Sequence, residues 1–161
     1  MTPLILCALA LNPAGVASSA GSGVEWAFYR NGRFGYAIEY PSSLVTAQPE
    51  SANGDGRVFT STTGDYKLTV WASFNVLELN RQLLRSEAIE YWKSNGGVIS
   101  YSTLLRNGFQ IAGRSGNLAF FQKTLIIEDW YVSFAWEFPA REKRAMEPVI
   151  ARLSRSLRHD N

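Results

Sequence analysis

The chain is poor in the residues that most often carry redox chemistry, metal binding and nucleophilic catalysis. Its 161 residues include one cysteine, Cys7, and one histidine, His159, each close to a terminus. Disulfides, thiolate metal sites and cysteine nucleophiles need cysteine inside the folded domain. His159 is expected in a frayed tail, where it would be a poor general base. The sequence therefore predicts a domain without disulfides, and it indicates no metal and no cofactor.

Long apolar runs and strong charge are also missing. The apolar run at residues 4–11 is far shorter than the ~20 residues that span a bilayer as a helix. Small residues from Val16 to Ala20 follow it, as in a secretory signal peptide, although no Lys or Arg precedes the run. We predict a signal peptide over residues 1–20 and an exported domain, periplasmic or secreted, over 21–161 without a transmembrane span. The alternative is a frayed apolar N-terminus.

Residues 21–161 predict one α+β domain. Alternation of apolar and polar residues predicts strands at 34–40, 57–61, 66–74, 98–105, 109–112, 118–127 and 130–138. Short turns between them indicate a mainly antiparallel sheet flanked by helices. The strand at 118–127 is apolar on both faces and is expected to be central. Residues 42–56 are rich in Ser, Pro, Asn and Gly, which predicts a loop.

Two segments have the 3.6-residue period of amphipathic helices. The first covers residues 76–95, ends at Gly96, and is expected to bury Leu77, Leu84, Ala88 and Tyr91, with Leu83 and Trp92 beside them. The second covers about 141–157, where Pro148 is expected to kink or split the helix. Its apolar side contains Met146, Val149, Ile150, Leu153 and Leu157.

The opposite side of the second helix is basic. It carries five arginines, Arg141, Arg144, Arg152, Arg155 and Arg158. Residues 141–161 hold six Lys or Arg against three Asp or Glu, a local balance of +3. Such a stripe suits an anionic surface or an acidic envelope protein, although a solvated helix face is the more common explanation of such a pattern. The net charge of +2 is too small to indicate nucleic acid binding.

Trp71 lies on the otherwise polar face of its strand. If a helix covers that face, Trp71 belongs to the core; if the face is open, Trp71 is a contact residue. Together with the five arginines, it completes the set of predicted binding residues.

No pattern predicts a catalytic residue or a metal ligand. The segment from Asn53 to Gly56 is similar to part of a calcium loop but lacks its first acid and its last glutamate, so a turn is expected. The serine in Gly113-Arg114-Ser115-Gly116 has the wrong spacing for a nucleophile elbow. Glu39 and Glu137 would approach each other only if their strands were neighbours; otherwise they are ordinary surface acids.

Several short motifs occur in an order that resembles a known family. They are Tyr29 to Tyr36, Tyr40-Pro41, Asn53 to Gly56, Phe138-Pro139, and Ile150 to Leu157. Residues 28–158 thereby resemble the PsbP-like fold, named after an extrinsic photosystem II subunit and shared with a nuclear-import factor that binds the Ran GTPase. The nearest likeness is to short exported bacterial proteins of unknown function. The resemblance implies an α/β/α sandwich and a binding or assembly role, and no functional residue is carried over.

The sequence therefore favours a non-catalytic exported accessory or binding protein. Two alternatives stay open: a carrier of a small apolar ligand, and a hydrolase with an unrecognised site. An enzyme is expected to have a concave pocket with convergent polar groups. A carrier is expected to have a closed apolar cavity, and a binding protein an exposed patch.

Overall fold

A computed structural model describes residues 23–160 as ten β-strands and two α-helices. In chain order these are β1 Ala27–Arg30, β2 Tyr36–Tyr40, β3 Thr46–Glu50, β4 Gly56–Thr60, β5 Lys67–Phe74, α1 Arg81–Ser94, β6 Gly97–Leu105, β7 Gly108–Ser115, β8 Leu118–Ile127, β9 Trp130–Pro139, α2 Lys143–Ser156 and β10 Arg158–His159. A 3-10 turn, Ala140–Glu142, precedes α2. The predicted signal peptide lies outside the described residues.

A seven-stranded antiparallel sheet forms the centre of the molecule. Its strand order is β3-β4-β5-β9-β8-β7-β6, so β8 and β9 are interior strands. A second sheet, ordered β1-β2-β10, packs with α2 on one face of the large sheet, and α1 packs on the other. The predicted α+β class, with a mainly antiparallel sheet flanked by helices, is confirmed.

Each face of the large sheet has its own core. Alternate residues of β9 point to opposite faces, so Phe134 and Trp136 pack towards α2 while Ala135 packs towards α1. The larger core, on the α2 side, includes Tyr36, Phe59, Leu68, Val132 and Leu153. The smaller core, on the α1 side, is formed by Leu84, Trp92, Phe109, Ile111, Phe120 and Ala135.

The prediction that residues 42–56 form only a loop is wrong, because β3 lies within them at the edge of the large sheet. An edge strand pairs on one side only and tolerates proline, so Pro49 and a register shift between Ala47 and Glu50 do not prevent it. The expectation of a frayed His159 is also wrong. His159 pairs with Tyr36 in β10 and packs edge-on against Trp130, with ring centroids 5.2 Å apart.

The first helix begins later than its periodicity predicts. Asn80 caps α1 by accepting a hydrogen bond from the Leu83 amide, and residues 75–80 form a turn. Leu84 and Trp92 are buried as the sheet-facing residues, whereas Leu77, Leu83 and Tyr91 are exposed. The helical period places these residues close together around the helix, and packing against the large sheet decides which of them turn inward.

The second helix differs in three respects from its prediction. Pro148 does not split α2, which continues from Lys143 to Ser156. Pro148 lies in the second turn and is exposed, so its missing amide affects only a solvent-accessible part of the helix. Arg141 lies in the preceding 3-10 turn and Arg158 in β10, so the five arginines do not share one helix face.

Candidate functional site

A cleft of about 430 Å³ lies between α1 and the large sheet. It forms because α1 contacts β6 and β7 and leaves the same face of β5 and β9 partly uncovered. The sheet contributes Lys67, Thr69, Trp71, Phe109, Gln122, Thr124, Tyr131, Ser133, Ala135 and Glu137, and the helix contributes Leu84, Glu87, Ala88, Tyr91 and Trp92. This volume is in the range of small-molecule sites, ~300–1,000 Å³.

Trp71 forms part of the cleft wall. It is half-buried, packs against the smaller core and lies opposite Ser133 on β9. On its other side it pairs with Gly56 of β4. Trp71 is thus neither a fully buried core residue nor a free surface residue, and it offers a partly accessible aromatic surface to the cleft.

The floor of the cleft contains a chain of buried polar side chains. The indole N–H of Trp92 donates to Gln122 Oε1 at 2.7 Å, and Gln122 Nε2 donates to Thr124 Oγ1 at 3.4 Å. Thr124 Oγ1 and Ser133 Oγ share a further hydrogen bond of 2.7 Å. Gln122 is 5% exposed, and Thr124 and Ser133 are each 1% exposed. Polar groups this deeply buried are normally hydrogen-bonded, and these three bond to one another.

Charged groups occupy one end and the rim. Lys67 forms an ion pair with Glu137, its cross-strand partner, at 2.7 Å, and Glu87 of α1 is exposed at the rim. Glu39 and Glu137 do not meet the condition for approaching each other, because β2 and β9 belong to different sheets. Glu39 instead accepts a hydrogen bond from Arg152 of α2.

The five arginines lie on the opposite side of the large sheet from the cleft, and three of them are in ion pairs. Arg152 binds Glu39 and lies over the ring of Trp26, 4.4 Å from its centroid. Arg158 binds Asp160 at 2.7 Å, and Arg141 lies 3.6 Å from Glu142. Within residues 23–160, Arg144 and Arg155 form no ion pair. Trp71 and the arginines therefore do not form one site.

Two titratable groups with shifted pKa values, the partly buried Lys123 and the buried Tyr36, belong to the α2 side. Burial lowers the pKa of Lys123, which donates to the Ser154 carbonyl at 2.6 Å beneath α2. Burial, followed by the nearby Tyr29 hydroxyl, raises the pKa of Tyr36, which donates to the Asp55 carbonyl at 3.0 Å. Both groups hold neighbouring segments together and lie away from the cleft.

In the loop at residues 53–56, the carboxylate of Asp55 stabilises a turn. The Asp55 carboxylate accepts hydrogen bonds from the Ser51 hydroxyl at 2.6 Å and from the Asn53 amide at 2.7 Å, while Gly54 has a φ of 69°. Over residues 23–160, no group of three or more His, Cys, Asp or Glu side chains is placed to hold a metal ion. Neither described helix is both long enough and apolar enough to cross a bilayer.

Comparison with solved structures identifies the architecture. The chain is similar to the solution structure of cyanobacterial PsbP (CyanoP) from Synechocystis sp. PCC 6803, with a TM-score of 0.62 at 12% sequence identity. The match covers 90% of this chain and 99% of that chain. The chain has a PsbP-like fold. No protein-family model matches it, and no curated protein matches it in sequence.

The PsbP-like fold confirms the architecture that the motifs indicated, and at this identity it carries no function with it. The cleft of this PsbP-like domain involves residues that the sequence did not single out, above all Gln122, Thr124 and Ser133. One feature of the sequence indicates that these residues are unusual: they are polar and interrupt the two most apolar strands of the chain. Their convergence on one cleft depends on the cross-strand register, which the alternation pattern alone does not reveal.

Proposed function

We propose that this protein is a non-catalytic, exported binding protein whose ligand occupies the cleft beneath α1. The observation that supports the proposal is the cleft itself, in which the partly accessible Trp71 faces Leu84 and Ala88 across a floor of buried polar groups. Apolar walls with a few fixed polar groups are typical of small-molecule sites.

A hydrolytic role has little support in this cleft. Ser133 is the serine of its floor, and its hydroxyl is hydrogen-bonded to Thr124 rather than to a general base. Lys67 pairs with Glu137, four residues along β9 from Ser133, a separation of ~13 Å at ~3.3 Å per residue. A serine–lysine pair would require hydrogen-bond distance between the two groups.

The closed apolar cavity expected of a carrier also differs from the observed cleft. The rim is formed by the exposed residues Tyr91 and Glu87, and the floor is polar. Such a site suits a ligand that exchanges with solvent. It is less suited to a ligand that must be fully enclosed.

The test is binding of a small aromatic probe, fluorene, followed by NMR chemical shifts and tryptophan fluorescence. We expect shifts to concentrate on the cleft residues of β5, β9 and α1. Trp71→Ala should weaken binding by about tenfold or more, since it removes the aromatic wall. The matched control is Trp26→Ala, which lies on the α2 side under Arg152. Equal effects of the two substitutions, or shifts confined to the α2 side, would contradict the proposal.

A second binding surface is proposed on α2, because Arg144 and Arg155 are exposed without an ion pair in residues 23–160. Binding to anionic lipid vesicles should fall in Arg144→Gln/Arg155→Gln and weaken for the native chain as salt rises. If the double variant binds such vesicles as well as the native chain does at low salt, the arginines are a solvated face.

Export is part of the proposal and has its own test. N-terminal sequencing of protein recovered from the periplasm or medium should show a new N-terminus near Gly21. A mature form that still begins at Met1 would argue against the signal peptide.

A further inference from the structure

The hydrogen-bond chain on the cleft floor has a direction that is determined at one end. An indole N–H only donates, so the oxygen of the Gln122 side chain must face Trp92. The amide nitrogen of Gln122 is therefore turned towards Thr124 and donates to its hydroxyl. The direction is fixed from Trp92 as far as Thr124, and either hydroxyl can donate in the last bond, between Thr124 and Ser133.

The three polar side chains carry four polar hydrogens, and only two of these are used in the bonds between them. The Gln122 amide has two N–H groups, and the Thr124 and Ser133 hydroxyls have one hydrogen each. One amide hydrogen is used in the bond to Thr124, and one hydroxyl hydrogen is used between Thr124 and Ser133, whichever of the two donates. One N–H and one O–H are left without an acceptor among residues 23–160.

These two donors belong to side chains that line the cleft and are more than nine-tenths buried. Solvent in the cleft reaches only the small exposed part of these side chains, at most 5% of their surface. A ligand that displaces this solvent must supply acceptors of its own, because a buried donor without a partner is costly. The floor therefore selects for ligands that carry an acceptor oxygen.

The charges around the cleft disfavour an anionic ligand. Lys67 and Glu137 neutralise each other at 2.7 Å, so neither presents a free charge to the interior. Glu87 on the rim adds a negative charge that disfavours anions. The remaining walls, Trp71, Leu84 and Ala88, are apolar and suit a flat or aliphatic body.

Resting on the proposed function of the cleft, we propose that its ligand is an uncharged, mainly apolar molecule that carries a carbonyl oxygen. The apolar body lies against Trp71, and the carbonyl oxygen accepts hydrogen bonds from the Gln122–Thr124–Ser133 chain.

The test compares two probes that differ mainly in one carbonyl group, fluorenone and fluorene. Both are flat, uncharged and smaller than the cleft. Dissociation constants are measured with the native protein from quenching of tryptophan fluorescence. The same titration with Trp71→Ala shows how much of the quenching comes from the cleft, because this variant lacks the partly accessible tryptophan of the cleft. Fluorenone should bind about three- to tenfold more tightly than fluorene, the value of one to two net hydrogen bonds.

The key variant is Gln122→Glu, measured at a pH high enough to ionise the new side chain, because the carboxylate only accepts hydrogen bonds. The carboxylate then accepts from both the Trp92 indole and the Thr124 hydroxyl, which frees Thr124 to accept from Ser133. No donor remains for the ligand, so the preference for fluorenone should disappear. Gln110→Glu is the matched control, because Gln110 is half-buried on β7 and does not line the cleft; it should keep the preference.

An infrared measurement gives a test that requires no variant and covers the case in which Gln122→Glu does not fold. The carbonyl stretch of bound fluorenone should move to lower frequency than in an alkane solvent, as expected for a hydrogen-bonded carbonyl. If both probes bind the cleft equally and the stretch is unshifted, the carbonyl proposal is overturned and the binding function stands. If neither probe binds in the cleft, both proposals are overturned.

Discussion

Tyr66 joins two distant elements through a single side chain. Its hydroxyl donates to Glu142, just before α2, and its ring stacks on Trp136 with centroids 5.8 Å apart. The hydrogen bond to the Glu142 carboxylate, helped by burial, raises the pKa of Tyr66 to about 12. A tyrosine in the unfolded chain titrates near ~10. The bond therefore contributes its full stability below pH ~10 and loses it as pH rises towards about 12.

We expect Tyr66→Phe to lower the free energy of unfolding by ~0.5–1.5 kcal/mol at pH 8, while keeping the ring stacked on Trp136. Because the native protein loses this contribution in alkali, the difference between native and variant should shrink between pH 10 and 12. Urea denaturation at several pH values in this range measures the difference in the free energy of unfolding between the native protein and the variant. Tyr101→Phe is the control, since Tyr101 is 48% exposed and should show no such trend. A difference that stays constant with pH would contradict the prediction.

Gly56 is required by close approach of the backbone. A Cβ atom at this position would lie 2.1 Å from the Val70 carbonyl oxygen and 2.8 Å from Trp71 Cα. We expect Gly56→Ala to destabilise the protein by ~1–3 kcal/mol or more, because strand β4 must shift to relieve the contact. Thermal unfolding measures the change. Gly32→Ala has no atom within 4 Å of its Cβ and should be close to neutral; similar losses at both glycines would argue against the assigned register.

At the scale of elements, the arginines of α2 differ in their contacts: one is held in an ion pair, and the others form none within residues 23–160. Arg152 binds Glu39 and covers Trp26, whereas Arg155, on the same helix, forms no ion pair in residues 23–160. We expect Arg152→Gln to lower the free energy of unfolding by ~1 kcal/mol and Arg155→Gln by less than ~0.5 kcal/mol. Urea denaturation at low salt distinguishes them, and equal effects would show that the Glu39 contact contributes nothing.

The elements also show where sequence periodicity succeeds. Strands β8 and β9 were predicted within a residue of their observed ends, because each is long and its alternation is strong. Short β3 and β1 were missed, since four or five residues carry too little periodic signal, and Pro49 indicates a loop. The inward face of α1 was assigned partly wrongly, because the choice between Tyr91 and Trp92 depends on the hydrogen bond from Trp92 to Gln122.

For the whole molecule, the two cores share one sheet, so a defect in one should weaken the other. Leu153 of α2 is fully buried in the larger core. We expect Leu153→Ala to cost ~2–5 kcal/mol and to leave a single unfolding transition. Hydrogen exchange of the α1 amides should accelerate together with that of the sheet.

Leu83→Ala provides the control, since Leu83 is 51% exposed on α1 and should change stability by less than ~0.5 kcal/mol. If Leu153→Ala exposes only α2 and leaves α1 fully protected, the two cores fold independently and the expected coupling is absent.

Composition and local pattern alone determined the class of this protein: one cysteine near a terminus, alternating strands, two amphipathic helices and ordered motifs of a PsbP-like fold. These properties depend on residues close together in the chain, which is why the sequence reveals them. The cleft, the placement of Trp71 in its wall and the neutralisation of Arg152 by Glu39 were decided only by tertiary structure. They depend on which strands become neighbours and in what register, because a cross-strand partner is set by packing and not by separation along the chain.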